Sequence, residues 1–180
     1  PIQFSVASNQ LADLYAALEQ QSGEIREFLT SNGVDESEIT QGAPAITDKS
    51  AQQYGGNMRA EFRYTATQAV TVYSENIPEI RQLMSKLSQL GKRGIVLEGG
   101  YQAQAEYLFT RLNDIKPAMI EEATTKAREV AQKFARDSES QLGKIKRASQ
   151  GQFSIRDRDR NNPHIKMVRV VSTVEYYLSD

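Results

Sequence analysis

The sequence predicts an α+β fold: antiparallel sheet with helices packed on one face, in strand-helix-strand-strand modules ordered βαββ-αβ-βαββ. Three observations carry this. Residues 58–73 alternate cleanly, with Met58, Ala60, Phe62, Tyr64, Ala66, Val70 and Val72 facing one way and charged or hydroxyl residues the other, as in a long half-buried strand. Residues 114–142 form the longest helical pattern, with apolar or small residues at steps of three and four. That pattern runs directly into two strand patterns, 144–157 and 165–178.

Taken in order, residues 2–6 alternate as a strand. A helix is expected over 9–31, capped by Ser8 or Asn9 and closed by Asn32-Gly33, with Leu11, Leu14, Tyr15, Leu18, Ile25 and Phe28 on its buried face. A weaker strand follows around 37–47, anchored by Ile39 and Ile46. Residues 48–57, with Gly55-Gly56, read as a loop before the strand at 58–73. Asn76, Pro78 and Glu79 suggest a capping box opening a helix over 77–90, whose face is Ile77, Ile80, Leu83, Met84, Leu87 and Leu90, and Gly91 is its expected end. A short strand at 94–98 precedes Gly99-Gly100, and Tyr101, Ala103, Ala105, Tyr107 and Phe109 alternate as a further strand.

In the long helix, Ala123, Ala127, Ala131 and Ala135 form a ridge that lets it lie close on a sheet, with Ile120, Val130 and Phe134 filling the flanks. Asn113 or Asp114 is the expected cap, Pro117 falls in the first turn, and Gly143 is the expected stop. Ile145, Phe153 and Ile155 mark one arm of a hairpin, bulged at Gly151, and Val168, Val170, Val174, Tyr176 and Leu178 mark the return. No proline-, glycine- or serine-rich linker interrupts the chain, so residues 1–180 read as one domain, with halves at 1–75 and 76–180 as the alternative.

The charge is unevenly placed. Residues 1–100 carry 8 Lys/Arg against 12 Asp/Glu, and residues 101–180 carry 14 against 11. The hairpin 144–169 alone holds 8 basic and 2 acidic residues, so it is a basic arm on a chain whose net charge is −1. The absence of cysteine excludes a disulfide framework, thiolate metal sites and a cysteine nucleophile. No apolar run approaches a membrane span. The chain opens at Pro1 on a strand already under way, and the expectation is a longer natural protein of which this is a processed or trimmed form.

Chemistry is sparse. His164 is the single histidine, beside Asn161, Asn162 and Pro163 at an expected hairpin tip, with no nucleophile-elbow pattern to go with it. One histidine without cysteine cannot build the usual zinc site. The glycine pairs are too short for a phosphate cradle. The run RDRDRNNPH, residues 156–164, is the most distinctive polar stretch. Its alternation would set Arg156, Arg158 and Arg160 on one face of an extended arm, where they could grip an anion or a neighbouring subunit's carboxylates. With Lys144 and Lys146 they are the candidate interaction surface, against the plainer reading of a soluble tip. No aromatic side chains interleave these arginines, which argues against nucleic acid.

Three segments, in this order, resemble the SIMPL domain family: LTSNGVDESEIT from Leu29, EEATTKAREVAQKFARDSESQLGKIKRASQGQFSI from Glu121, and VRVVSTVEYYL from Val168. The likeness spans nearly the whole chain and rests on joint order, since none of the three is a catalytic signature. It implies a bacterial protein that is periplasmic, or anchored in the inner membrane and facing the periplasm, with a further strand and a signal or anchor segment ahead of residue 2. It also implies self-association into homo-oligomers and a link to stress tolerance. A mammalian member is an adaptor that binds a kinase, which makes protein binding through the hairpin 144–169 the second reading. No catalytic residue, cofactor or metal is expected. An undiscovered enzyme, the third reading, would need a pocket of titratable groups that nothing in the sequence marks.

Overall fold

The computed structural model describes residues 1–51 and 61–180. The Gly55-Gly56 loop, and Met58 and Ala60 of the expected strand, lie outside the described residues. The fold is α+β with antiparallel strands throughout. The chain divides into two compact units, Pro1–Ala105 and Glu106–Asp180, a boundary thirty residues beyond the 75/76 division.

The first unit opens with β1 (Ile2–Ser8) and α1 (Leu11–Ser31), followed by β2 (Ile39–Gln41), β3 (Ala45–Asp48) and β4 (Tyr64–Val72). It closes with α2 (Ile77–Lys86), α3 (Ser88–Lys92) and β5 (Val96–Leu97). The sheet runs β2-β4-β1-β5, with β3 also pairing β4. Alternation along β1 and β4 turns Phe4, Val6, Ala66 and Val70 inward, where they meet Leu14, Leu18, Ile25, Phe28 and Leu29 of α1 in one buried cluster. Leu83, Leu90 and Ile95 join the same cluster, while Met84, expected with them, is exposed.

The strand expected at 37–47 is two strands, because Gly42, Ala43 and Pro44 interrupt it. Gln41 pairs with Val70 and Ala45 with Thr67, so three residues face two across the gap. One extra residue flips the parity of a strand. Ile39 and Ile46 are seven apart, yet Ile39 is buried and Ile46 packs on the same core. The buried Gln68 fills the gap, its Nε2 donating to the Gly42 carbonyl at 2.8 Å.

The ends of α1 and α3 follow one rule. After α1, the Gly33 N–H reaches the Thr30 carbonyl and the Val34 N–H reaches that of Leu29, with Val34 buried. After α3, Gly94 and Ile95 repeat this on Gly91 and Leu90. Each is a Schellman closure, with glycine at the left-handed position, φ +94° at Gly33 and +88° at Gly94. The stop is therefore Gly94, and Gly91 lies inside α3. Helix starts differ from expectation. Neither Gln10 nor Asn76 caps through its side chain. Asn9 instead accepts from the Arg63 N–H at 2.9 Å, and the Asn76 N–H goes to Ser74 Oγ.

The second unit holds α4 (Leu112–Asp137), β6 (Gln141–Gln150), β7 (Ser154–Asp157), β8 (Lys166–Arg169) and β9 (Ser172–Ser179). The strand expected from Tyr101 to Phe109 does not form: a 3-10 turn takes Tyr101–Ala103, and no strand includes the rest. β6 pairs with β9 and β7 with β8, so the expected hairpin is one long ribbon on which α4 lies.

Candidate interaction surface

The second unit is built on the alanine ridge. Ala135 is buried, and Ala123, Ala127 and Ala131 are half-buried along the same face of α4. Small side chains bring the helix close to β6 and β9. The flanks do not close as expected: Val130 is 48% exposed and Phe134 68%. The helix also starts and stops earlier than its pattern. Arg111 is the residue before its first turn, its Nε paired with Asp114 at 3.0 Å, and Pro117 sits in the second turn. Its end is a third Schellman closure, in which Glu139 N–H meets the Arg136 carbonyl and Ser140 N–H that of Ala135. Glu139 holds the left-handed position at φ +55°.

Leu142 and Gly143 therefore belong to β6, and Gly143 serves a different purpose. A Cβ there would lie 2.9 Å from the Tyr177 carbonyl oxygen and 3.1 Å from Tyr177 Cβ, so only glycine admits the β9 backbone at that distance. The register shifts between Leu142 and Ile145 and again between Ile145 and Arg147. It shifts a third time where residues 151–153 face 170 and 171, as anticipated at Gly151. Every extra residue lies on the first arm, and each bulge adds local twist.

The candidate cations are spread along that arm. Lys144 and Lys146 are exposed on β6, and Arg156 is on β7, its Nη2 3.2 Å from Met167 Sδ. The extended ladder ends where the Arg158 N–H meets the Ile165 carbonyl, so Arg160 lies in the turn rather than in line with Arg156 and Arg158. Arg158 Nε bonds Asp159 at 2.8 Å. Asp159 also accepts from the Asn161 N–H and Asn162 Nδ2. The Arg158 bond above all, then that of Asn162, lowers the Asp159 carboxyl to a pKa of about 2. The tip is thus an ordered turn around an anionic carboxylate. Lys166 closes its base on Asp157. His164, which the sequence places at the hairpin tip, is half-buried with its ring 5.8 Å from that of Tyr107.

The second unit's apolar surface remains open. Ala135 is its one buried side chain among the described residues, whereas Ile145, Ile155, Met167, Val171, Tyr177 and Leu178 are exposed along the ribbon. They lie on both faces of the ribbon, since Tyr177 and Leu178 are neighbours in β9 and Met167 pairs with Arg156 rather than Ile155. Ile145, Ile155 and Leu178 fall on the alternation that marked the arms, whereas Met167, Val171 and Tyr177 fall on the opposite parity of the return arm.

In the first unit, a groove of about 230 Å³ is lined by Asn32, Asp35, Glu38, Glu79 and Ile80. Asp35 is committed to its own turn: the Ser37 hydroxyl and N–H lower its pKa. Asp48 is likewise lowered by Arg63 and then Ser50. Among the described residues no three or more His, Asp or Glu side chains are grouped to hold a metal ion, and no helix is long and apolar enough to cross a membrane.

No curated protein matches the chain. The SIMPL family model, described as "Protein of unknown function (DUF541)", matches residues 2–174. The match runs through the first unit and into the second, takes in the first two segments that resemble the family and the opening seven residues of the third, and the chain belongs to the SIMPL family.

Proposed function

We propose that the chain is a non-enzymatic, self-associating module of the bacterial cell envelope, periplasmic or tethered there, that acts through assembly rather than catalysis. The observation that supports it is the imbalance between the units. The first gathers its core from β1, α1, β4 and α3, but the second leaves Val130, Phe134 and the ribbon's apolar side chains uncovered. A second copy would cover them. Light scattering and sedimentation over a wide concentration range test this. Reversible growth in mass supports the reading, and a monomer at the highest concentration rejects it. Fractionation of cells making the natural-length protein tests the envelope location. Survival of a deletion strain under oxidative and osmotic stress tests the link to stress tolerance.

A second reading, an adaptor that takes a different protein on the basic ribbon, draws on the exposed Lys144, Lys146 and Arg156. Replacing Arg156, Arg158 and Arg160 with alanine would abolish capture of such a partner and leave self-association intact.

A further inference from the structure

The ribbon has two long edges of opposite character. Its first arm carries three bulges and the charges Lys144, Lys146, Arg147, Arg156 and Arg158. Its second arm ends in β9, STVEYYLS, with one charge, Glu175, and no register shift on its own side. Among the described residues β9 pairs with β6 alone, so its far edge is open. An open, regular, weakly charged edge rich in Val, Thr and Tyr recruits another strand.

Symmetry separates the edges further. Two copies joined edge to edge by an antiparallel two-fold axis keep the same face upward, so residues of like parity face each other. On β7 and its extension the even positions include Arg156 and Arg158 and the odd ones include Asp157. Every symmetric register there sets arginine against arginine or serine, and aspartate against aspartate or isoleucine. The RDRDR alternation therefore blocks that edge, as charges do on natural edge strands.

On β9 the same rule is permissive. The Val171 carbonyl accepts from Gly151 N–H, and the Tyr177 carbonyl lies against Gly143, so the odd residues turn their backbone groups toward β6. Ser172, Val174, Tyr176 and Leu178 then turn theirs outward. We infer that β9 pairs antiparallel with β9 of a second copy, centred on Tyr176, with Val174 opposite Leu178. This register opposes outward groups to outward groups. It also faces Glu175 with Tyr177, which keeps the two glutamates apart. The product is one four-stranded sheet with both α4 helices on the same face.

The inference rests on the self-association reading and is tested separately from it. The chain has no cysteine, so Val174→Cys and Leu178→Cys each introduce a single thiol. Mild oxidation of the two variants mixed together should give a disulfide-linked mixed dimer, in yield several-fold above either variant alone. Leu178→Pro removes an N–H that β6 does not use, and should weaken association at least tenfold with the far-UV spectrum retained. If wild type associates but the mixture does not cross-link preferentially, another surface carries the assembly and this inference falls, whether or not Leu178→Pro folds. Unchanged association of a folded Leu178→Pro protein overturns it equally. If wild type is monomeric at every concentration, the self-association reading and this inference fall together.

Discussion

The same chemical change, glycine to alanine, should have opposite signs at two positions in this chain. Gly23 lies mid-helix in α1, exposed, and an added Cβ there meets nothing within 4 Å. Gly23→Ala should stabilise the first unit by about 0.5–1 kcal/mol, because alanine has less backbone freedom to lose on folding. At Gly143 the added Cβ would stand 2.9 Å from a backbone oxygen, inside any tolerated contact. The obstacle is the β9 main chain, which cannot swing aside as a side-chain tip can. The strands must part by a few tenths of an ångström or more beside a bulge, and overpacking of this kind costs about 1–3 kcal/mol. The two substitutions should thus differ by roughly 1.5–4 kcal/mol, obtained by combining these ranges. Urea unfolding at one fixed protein concentration gives the global values. Amide exchange locates them, slowed in residues 11–31 of Gly23→Ala and faster in 141–150 and 172–179 of Gly143→Ala. If Gly143→Ala leaves ribbon exchange unchanged, the β9 backbone accommodates the methyl and close approach is not the reason for that glycine.

Glu139→Gly should stabilise α4 by up to about 1 kcal/mol, since a non-glycine residue at φ +55° bears roughly 1–2 kcal/mol of strain and glycine returns part of that as lost chain entropy; thermal denaturation measures it. Gln68→Ala should destabilise the first unit by about 1–3 kcal/mol, by leaving the Gly42 carbonyl without its side-chain donor, and amide exchange in residues 39–48 should rise with it. The folded Asp159 carboxyl titrates near 2, below its ordinary value of 3.8, so its contribution to the turn is present above about pH 4 and lost as pH falls through 2. A carboxyl-carbon NMR titration should show that midpoint, and one near 4 would mean the Arg158 and Asn162 bonds do not hold in solution.

Much of the first unit was legible because its signals are local. The alternation in β1 and β4 and the Asn32-Gly33 ending of α1 each point to one conformation. The second unit was less so. The end of α4 was misplaced by five residues because the left-handed position holds Glu139, a residue type that does not announce it. The glycine that does appear nearby, Gly143, answers to a strand thirty-four residues away, which no window along the sequence can contain. Bulges are hidden in the same way: the flip that lets Ile39 and Ile46 share a core depends on what β4 offers opposite them. The arginine run was visible as chemistry, but its geometry was not, since the turn removes Arg160 from the line and Asp159 occupies Arg158.

The two units face different stability problems, and this bears on why the chain would assemble. The first buries Phe4, Leu14, Ile25, Phe28 and Leu29 almost completely, each worth about 1.5–3 kcal/mol. The second has a helix on a two-stranded ribbon, and a two-stranded sheet is marginal unless something covers it. The alanine ridge lets α4 come near, but small side chains bury little apolar area. The larger ones, Val130 and Phe134, stay in solvent. A unit built this way gains stability from whatever binds its folded form, in proportion to the logarithm of that partner's concentration over its dissociation constant. On the self-association proposed for the chain, order in the second unit and the degree of assembly would be one equilibrium rather than two. Diluting the protein should therefore loosen the ribbon before the first unit's sheet, which amide exchange across a concentration series would resolve strand by strand.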